Sequence, residues 1–351
     1  MRTDLAAIAL TAAIFVTACQ PAVAELPVTA KPPTATSGIW ISAKEIAAKP
    51  TSGAAWSSMR AAATRPWGTP TISDQNSHDD TDTLAGALVA VRLNDAKLKT
   101  KVRMHLMDLV ARHKYGRVLA LARELPSYVI AADVVGLDAT QRAAFKGFLR
   151  EARTHKMTGH SGGTDLVSTA HRSSNNWGTM SLGALAAVDA YLGDKASLAK
   201  IANTQEAWLG GAAPNTLKYS GTNWHAGRRA GINARGATIA GRSVDGVIPE
   251  DQRRTGEYTW PAPKGGYPHE AMQGAIVTSV ILDRAGVLDF AAGDHALKRA
   301  MQWLSVTNAN RPVGDDGNTP WLLAAYGGGT FARTAAPSPG KNIAWAAWTA
   351  G

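Results

Sequence analysis

From about Ser42 to the C-terminus the apolar residues recur at helical spacing, and runs with the two-residue alternation of a strand are few. That rhythm is the strongest limit on the fold. Asp82 to Leu93 reads as one helix, closed by Asn94-Asp95, and Leu98 to Ala122 as a second. Asp138-Ala-Thr-Gln141 has the form of a capping box and starts a helix to about Arg153. Asn176 to Leu192 stops at Gly193-Asp194, and Lys195 to Leu209 at Gly210-Gly211. His269 to Ala285 stops at Gly286; Asp294 to Val306 and a tail helix around Trp345 and Trp348 complete the series. No βαβ spacing appears, and no TPR-like repeat. Helices paired by short Gly/Asp turns predict an all-α protein of stacked antiparallel hairpins. Closed into a ring, they form an (α/α) toroid, an incomplete barrel with a cleft at one end.

The ends are organised differently. Arg2 followed by the apolar stretch Leu5 to Val16 reads as an export signal within residues 1–24, too short to span a membrane. Two cleavage sites compete. Val16-Thr17-Ala18-Cys19 resembles a lipoprotein box, whereas Ala22-Val23-Ala24 is an ordinary small-residue site. The expected location is the periplasm, with Cys19 as the point of any lipid anchor. Cys19 is the only cysteine, so an intrachain disulfide is excluded. Residues 25–40 are rich in Pro and Thr and form a tether, leaving 41–351 for the helical domain.

The 37 basic residues against 27 acidic ones give a net charge of +10, which draws an exported protein toward anionic partners. No Lys/Arg-dense recognition helix is present, so an anionic polysaccharide fits better than nucleic acid. The 11 tryptophans exceed the 7 Tyr and the 5 Phe taken separately. Tryptophan most often fills cores, and it also supplies flat faces for sugar rings.

Two segments concentrate polar chemistry. The first is Arg172-Ser-Ser-Asn175-Asn176-Trp177-Gly178-Thr179-Met180, at the mouth of a predicted helix. The second runs from Pro249-Glu250-Asp251-Gln252-Arg253-Arg254 through Tyr258, Trp260 and Tyr267 to His269, inside or beside the glycine-rich stretch 212–266. A loop that long in a compact domain is usually functional. Amides, arginines, tyrosine and histidine suit removal of a proton beside a carboxylate. β-Elimination on a uronic acid takes the C5 proton and expels the 4-oxygen, so the carboxylate must be neutralised while a base and an acid act. Asn175 and Asn176 can supply amide donors at a helix N-terminus, or can simply cap it. Arg253 and Arg254 can pair with the substrate or sit solvated. Tyr258, Tyr267, His225 and His269 are candidate proton carriers, or loop and core packing.

Here the chain resembles the alginate lyase superfamily of helical toroids. Those enzymes carry Asn-Asn-His, often followed by Gly-Thr-Trp, where this chain has Asn175-Asn176-Trp177-Gly178-Thr179-Met180. They later carry Gly-x-x-Pro, a basic cluster and a tyrosine ahead of a helix-ending glycine. Gly246-Val247-Ile248-Pro249, Arg253-Arg254, Tyr267 and Gly286 fall in that order. The resemblance implies Asn176 at the substrate carboxylate, Arg253 or Arg254 assisting, and Tyr267 as base or acid. Arg172, Asn175, Trp177, Trp260 and His269 would line the binding surface. The family's histidine is Trp177 here, so His225 becomes its substitute or the chemistry changes. Tyr258 rivals Tyr267, being nearer in sequence to the arginines.

No cofactor or metal is expected. His78-Asp79-Asp80-Thr81-Asp82 has ligand chemistry but is read as acidic capping, and Asp315-Asp316-Gly317-Asn318 as a turn lacking the distal Glu of a calcium loop. Asp245, Glu250 and Asp251 offer carboxylates for a glycoside hydrolase instead. A non-catalytic glycan-binding lipoprotein is the third possibility.

Overall fold

The computed structural model describes residues 38–157, 163–333, 339–342 and 344–351. The expected export signal, Cys19 and most of the tether lie outside the described residues. The chain is mostly helical, at 59% helix. In order the helices are α1 Ala43–Ala48, α2 Ala54–Thr64, α3 Asp79–Arg92, α4 Ala96–Arg112, α5 Val118–Val135, α6 Ala139–Thr154 and α7 Leu166–Arg172. They continue with α8 Asn176–Leu192, α9 Lys195–Trp208, α10 Pro249–Gln252, α11 Tyr267–Arg284, α12 Ala292–Gln302, α13 Thr319–Leu322 and α14 Ala346–Thr349. One short antiparallel hairpin, β1 Thr238–Ile239 with β2 Arg242–Ser243, pairs Thr238 with Ser243.

Four helices form the core row. α3 packs on α5, α5 on α8 and α8 on α11. They run parallel. Lys341 touches Asp80 in the first turn of α3 and Glu124 in the second turn of α5. The Asn342 amide donates to Ala122 O of α5 and Met180 O of α8. The first residue of α8, Asn176, meets Glu270 in the first turn of α11. Shorter or one-sided helices return the chain between them: α4 after α3, α6 and α7 after α5, α9 after α8. The division follows from sequence. α5, α8 and α11 are apolar or small all round and are buried on nearly every residue, whereas α4 buries only Leu98, Val102, Leu106 and Leu109.

Gly274 sets how closely α11 approaches α8, and Gly178 lets the first turn of α8 lie against Ser173 at the end of α7. A Cβ on Gly274 would lie 2.3 Å from Met180 N, and one on Gly178 would lie 1.8 Å from Ser173 O. Neither contact is tolerable, so these backbones meet only because the side chains are absent.

The C-terminal residues close the row on its open side. α13 contacts α11, and α14 contacts α13 and α2. Trp345 Nε1 donates to Thr81 O at 2.8 Å and Trp348 Nε1 to Pro50 O at 2.9 Å, while the Trp348 and Trp56 rings lie 5.7 Å apart. Most tryptophans are therefore fasteners: Trp40, Trp56, Trp208, Trp224, Trp303, Trp345 and Trp348 are all buried.

Helix ends match the sequence where a cap is written into it. Asp138 makes the expected capping box with Gln141, and Gly193 closes α8 in a left-handed conformation at φ 76°. The expected single helix 98–122 is instead two, α4 and α5, with the chain extended at His113 and Arg117. Apolar spacing runs on across that break, so periodicity could not reveal it. α5 also continues through a buried Pro126. At α12, Gly293, Asp294 and His295 take left-handed φ values, and the helical path settles only after them.

Candidate functional site

The two asparagines divide the labour. Asn175 is the cap: its Oδ1 accepts from Trp177 N at 3.2 Å. Asn176 begins α8 and points inward, with 1% of its surface exposed. Its Nδ2 donates to Glu270 Oε2 at 2.6 Å, and its Oδ1 accepts from Arg254 Nη1 at 3.0 Å. Its backbone N–H donates to Asp251 Oδ1 at 3.1 Å. The side chain is thus a joint between α8, α11 and the turn after α10, bonded at both ends of its amide.

The short α10 carries two buried carboxylates that sequence alone would place at the surface. Glu250 accepts from Ser220 N, Gly221 N, His225 Nε2 and Arg253 Nε, the last at 3.0 Å. Burial pushes its carboxyl up, but the hydrogen bonds from His225 and Arg253 outweigh burial and hold it below the usual range. Asp251 is fully buried under the N-terminus of α8. Burial raises it to about 8, against the pull of the Asn176 N–H and of Arg254, whose Nη1 lies 4.0 Å away. Neither group can touch a substrate, which removes them as the acid/base pair of a hydrolase.

Arg254 and Tyr267 form the open part of the cluster. The Arg254 guanidinium lies over the Tyr267 ring, 3.3 Å from its centroid. Tyr267 opens α11 with 39% of its surface exposed, and among the described residues its hydroxyl makes no hydrogen bond. Tyr258 is placed differently: its hydroxyl donates to Ile239 O at 2.9 Å and its ring stands edge-on to Trp224, so it ties the β1–β2 hairpin to the following loop.

The remaining candidates scatter. His225 is 4% exposed on its side chain, packs edge-on to Tyr219 and donates to Glu250 at 3.3 Å; it is not joined to Asn176. Arg253 is committed to Glu250. His269 is buried, donates from Nε2 to Asn310 O, and burial lowers it to about 4 despite that bond, so it packs as a neutral ring. Trp260 is 40% exposed beneath Arg242. Trp177 faces the other neighbour of α8, with the Arg117 guanidinium 5.0 Å from its ring. Arg172 is exposed at the end of α7, and its carbonyl accepts from Lys218 N.

The acidic stretch that opens α3 also separates. Asp79 accepts from Gly68 N, Asp82 binds Arg65 with two hydrogen bonds, and Asp80 meets Lys341. Among the described residues no three His, Cys, Asp or Glu side chains converge as metal ligands. Asp315 pairs with Arg123 of α5 at 3.1 Å, and its carbonyl accepts from Gln273 of α11. Sequence reasoning missed Glu270 and Arg117. Glu270 looks like an ordinary acid in the first turn of a helix, and its partner lies 94 residues away.

The arrangement therefore offers a cation and an exposed phenol beside the N-termini of α8 and α11, with the buried Asn176 amide behind them. No protein-family model matches this chain, and no curated protein matches it either.

Proposed function

We propose that this chain is a polysaccharide lyase that cleaves an acidic, uronate-containing polymer of the alginate or glucuronan type by β-elimination, on an (α/α) toroid. One observation carries the reading: the exposed Tyr267 hydroxyl has no hydrogen-bond partner among the described residues, and it stands beside Arg254, which is held by Asn176. In this scheme Arg254 meets the substrate carboxylate and stabilises the charge that builds there, and the buried Asn176 amide holds Arg254 in place. Tyr267 acts as the phenolate: it takes the C5 proton, and the phenol so formed gives that proton to the departing 4-oxygen. The parallel row α3–α5–α8–α11, with its site at the N-terminal ends, supports the toroid. The positive ends of α8 and α11 favour an anion. Export to the periplasm, with or without a lipid at Cys19, belongs to the same proposal, and the net charge of +10 suits the polymer.

One observation favours a second reading, non-catalytic binding of the same polymers. Trp177 stands where the resembled family has histidine, and His225 is turned onto Glu250. Incubation of the purified protein with alginate, glucuronan and other acidic polymers decides between them. A rise in ultraviolet absorbance from unsaturated sugar ends supports the lyase. Reducing ends without that absorbance make it a hydrolase, and retention on the polymer without turnover makes it a binding protein.

A further inference from the structure

A carboxamide has two ends of nearly the same shape, so its partners decide which end faces a ligand. At Asn176 the partners leave no ambiguity. Arg254 can only donate, and it meets Oδ1 at 3.0 Å. An ionised Glu270 can only accept, and it meets Nδ2 at 2.6 Å. Turning the amide over would set its NH2 against the guanidinium and its oxygen against the carboxylate. Both contacts would then be repulsive.

The consequence reaches Tyr267. Arg254 is held at its tip by Asn176 Oδ1 and the more distant Asp251, and its flat face rests on the Tyr267 ring. Tyr267 and Glu270 are three residues apart on α11 and share one helical face. A single turn of α11 thus carries both the exposed hydroxyl and the group that aims the amide. Gly274, a turn further on, lets that face lie against the backbone of α8 at the height where this joint forms.

We propose that Glu270 is a positioning residue: it fixes the rotation of the Asn176 carboxamide, and through it the seat of Arg254 over Tyr267. Its kinetic consequence rests on the lyase reading; its geometric consequence does not. The pair stands in for the missing motif histidine in one respect, since it commits a neutral amide and a cation to one orientation before substrate arrives.

The test compares Glu270→Gln and Glu270→Asp with the parent protein. Glutamine keeps the size but can donate as well as accept, so it no longer selects one face of Asn176. Aspartate is shorter but still only accepts. In a crystal structure of Glu270→Gln, Arg254 is expected to leave the Tyr267 ring or to bind elsewhere than Asn176 Oδ1. An unmoved Arg254 on an unmoved amide overturns the proposal, whatever the protein's activity. On a polymer that the parent cleaves, Glu270→Gln should lower kcat by about 10²-fold, the scale of a misplaced catalytic group, with KM changed far less. Glu270→Asp should recover part of that loss. In a double-mutant cycle with Arg254→Lys the losses should be less than additive, because both act through one contact. Full activity of Glu270→Gln, or simple additivity, overturns the proposal. A parent protein that cleaves none of the polymers defeats the lyase reading, and the crystal structure still decides the role of Glu270.

Discussion

Two buried polar clusters sit at N-terminal ends within the core row, one on α3 and α5 and the other on α8 and α11, and they differ in their access to solvent. Around Asn176, the buried amide and Asp251 lead outward to Arg254 and an exposed Tyr267. Around Lys341, no such path to solvent runs among the described residues. Lys341, Asp80 and Glu124 are each at most 1% exposed, with Lys341 Nζ 3.1 Å from Asp80 and 3.9 Å from Glu124, and bonded to Ser77 O. Burial pushes both carboxyls up, Asp80 to about 6. Perturbed carboxyls alone would nominate either cluster as a site. Access separates them: the first can meet a ligand, and the second can only hold helices together.

The comparison breaks most easily at Lys341. Lys341→Ala leaves Asp80 and Glu124 buried without their cation and should cost about 3–5 kcal/mol of stability by denaturant unfolding. Activity per folded molecule should be retained. A variant as stable as the parent would mean that the sealed cluster fastens nothing. At the open cluster the expectation inverts. Asn176→Ala should lower kcat by roughly 10²–10³-fold and, because Glu270 and Arg254 lose a partner, cost about 1–3 kcal/mol of stability. Intact turnover would reduce Asn176 to a helix-end fitting.

Asp251 sharpens the contrast through pH. Its carboxyl is raised from an ordinary value of 3.8 to about 8 in the folded protein. The native state therefore holds the proton that the unfolded chain has lost. Stability from this group is fully present below the unfolded value and declines as pH rises from about 4 to about 8. Asp251→Asn should flatten that decline in thermal melts across the window, and an unchanged slope would assign the decline to other groups. The smallest effect belongs to Tyr258. Removing its hydroxyl in Tyr258→Phe frees one carbonyl, Ile239 O, and should cost about 1 kcal/mol with most turnover kept. Loss of turnover there, with Tyr267→Phe still active, would move the chemistry to the hairpin loop.

Local signals carried much of the helical pattern. Asp138 with Gln141, and Asn175 ahead of α8, are written as caps, and Gly193 as a stop. The gap between α4 and α5 was invisible because the same apolar spacing runs through both. The site was legible as a set of residues but not as a set of contacts. Asn176, Arg254 and Tyr267 stand out by type, yet the bonds joining Asn176 to its partners span 75 to 94 residues. The sinking of Glu250 and Asp251 into the interior was equally hidden, because a Pro-Glu-Asp-Gln run reads as a solvated turn until α8 is laid over it.

The closure by the C-terminal residues bears on the order in which the chain is made. Trp348 fastens to Pro50 across 298 residues, and Lys341 meets Asp80 across 261. Synthesis delivers α2 and α3 first and their covering last. Until α14 emerges, the face of Trp56 and the carboxylate of Asp80 wait without their partners, and contacts this distant in sequence form slowly. Chains still on the ribosome are therefore the ones most exposed to holdase chaperones and proteases.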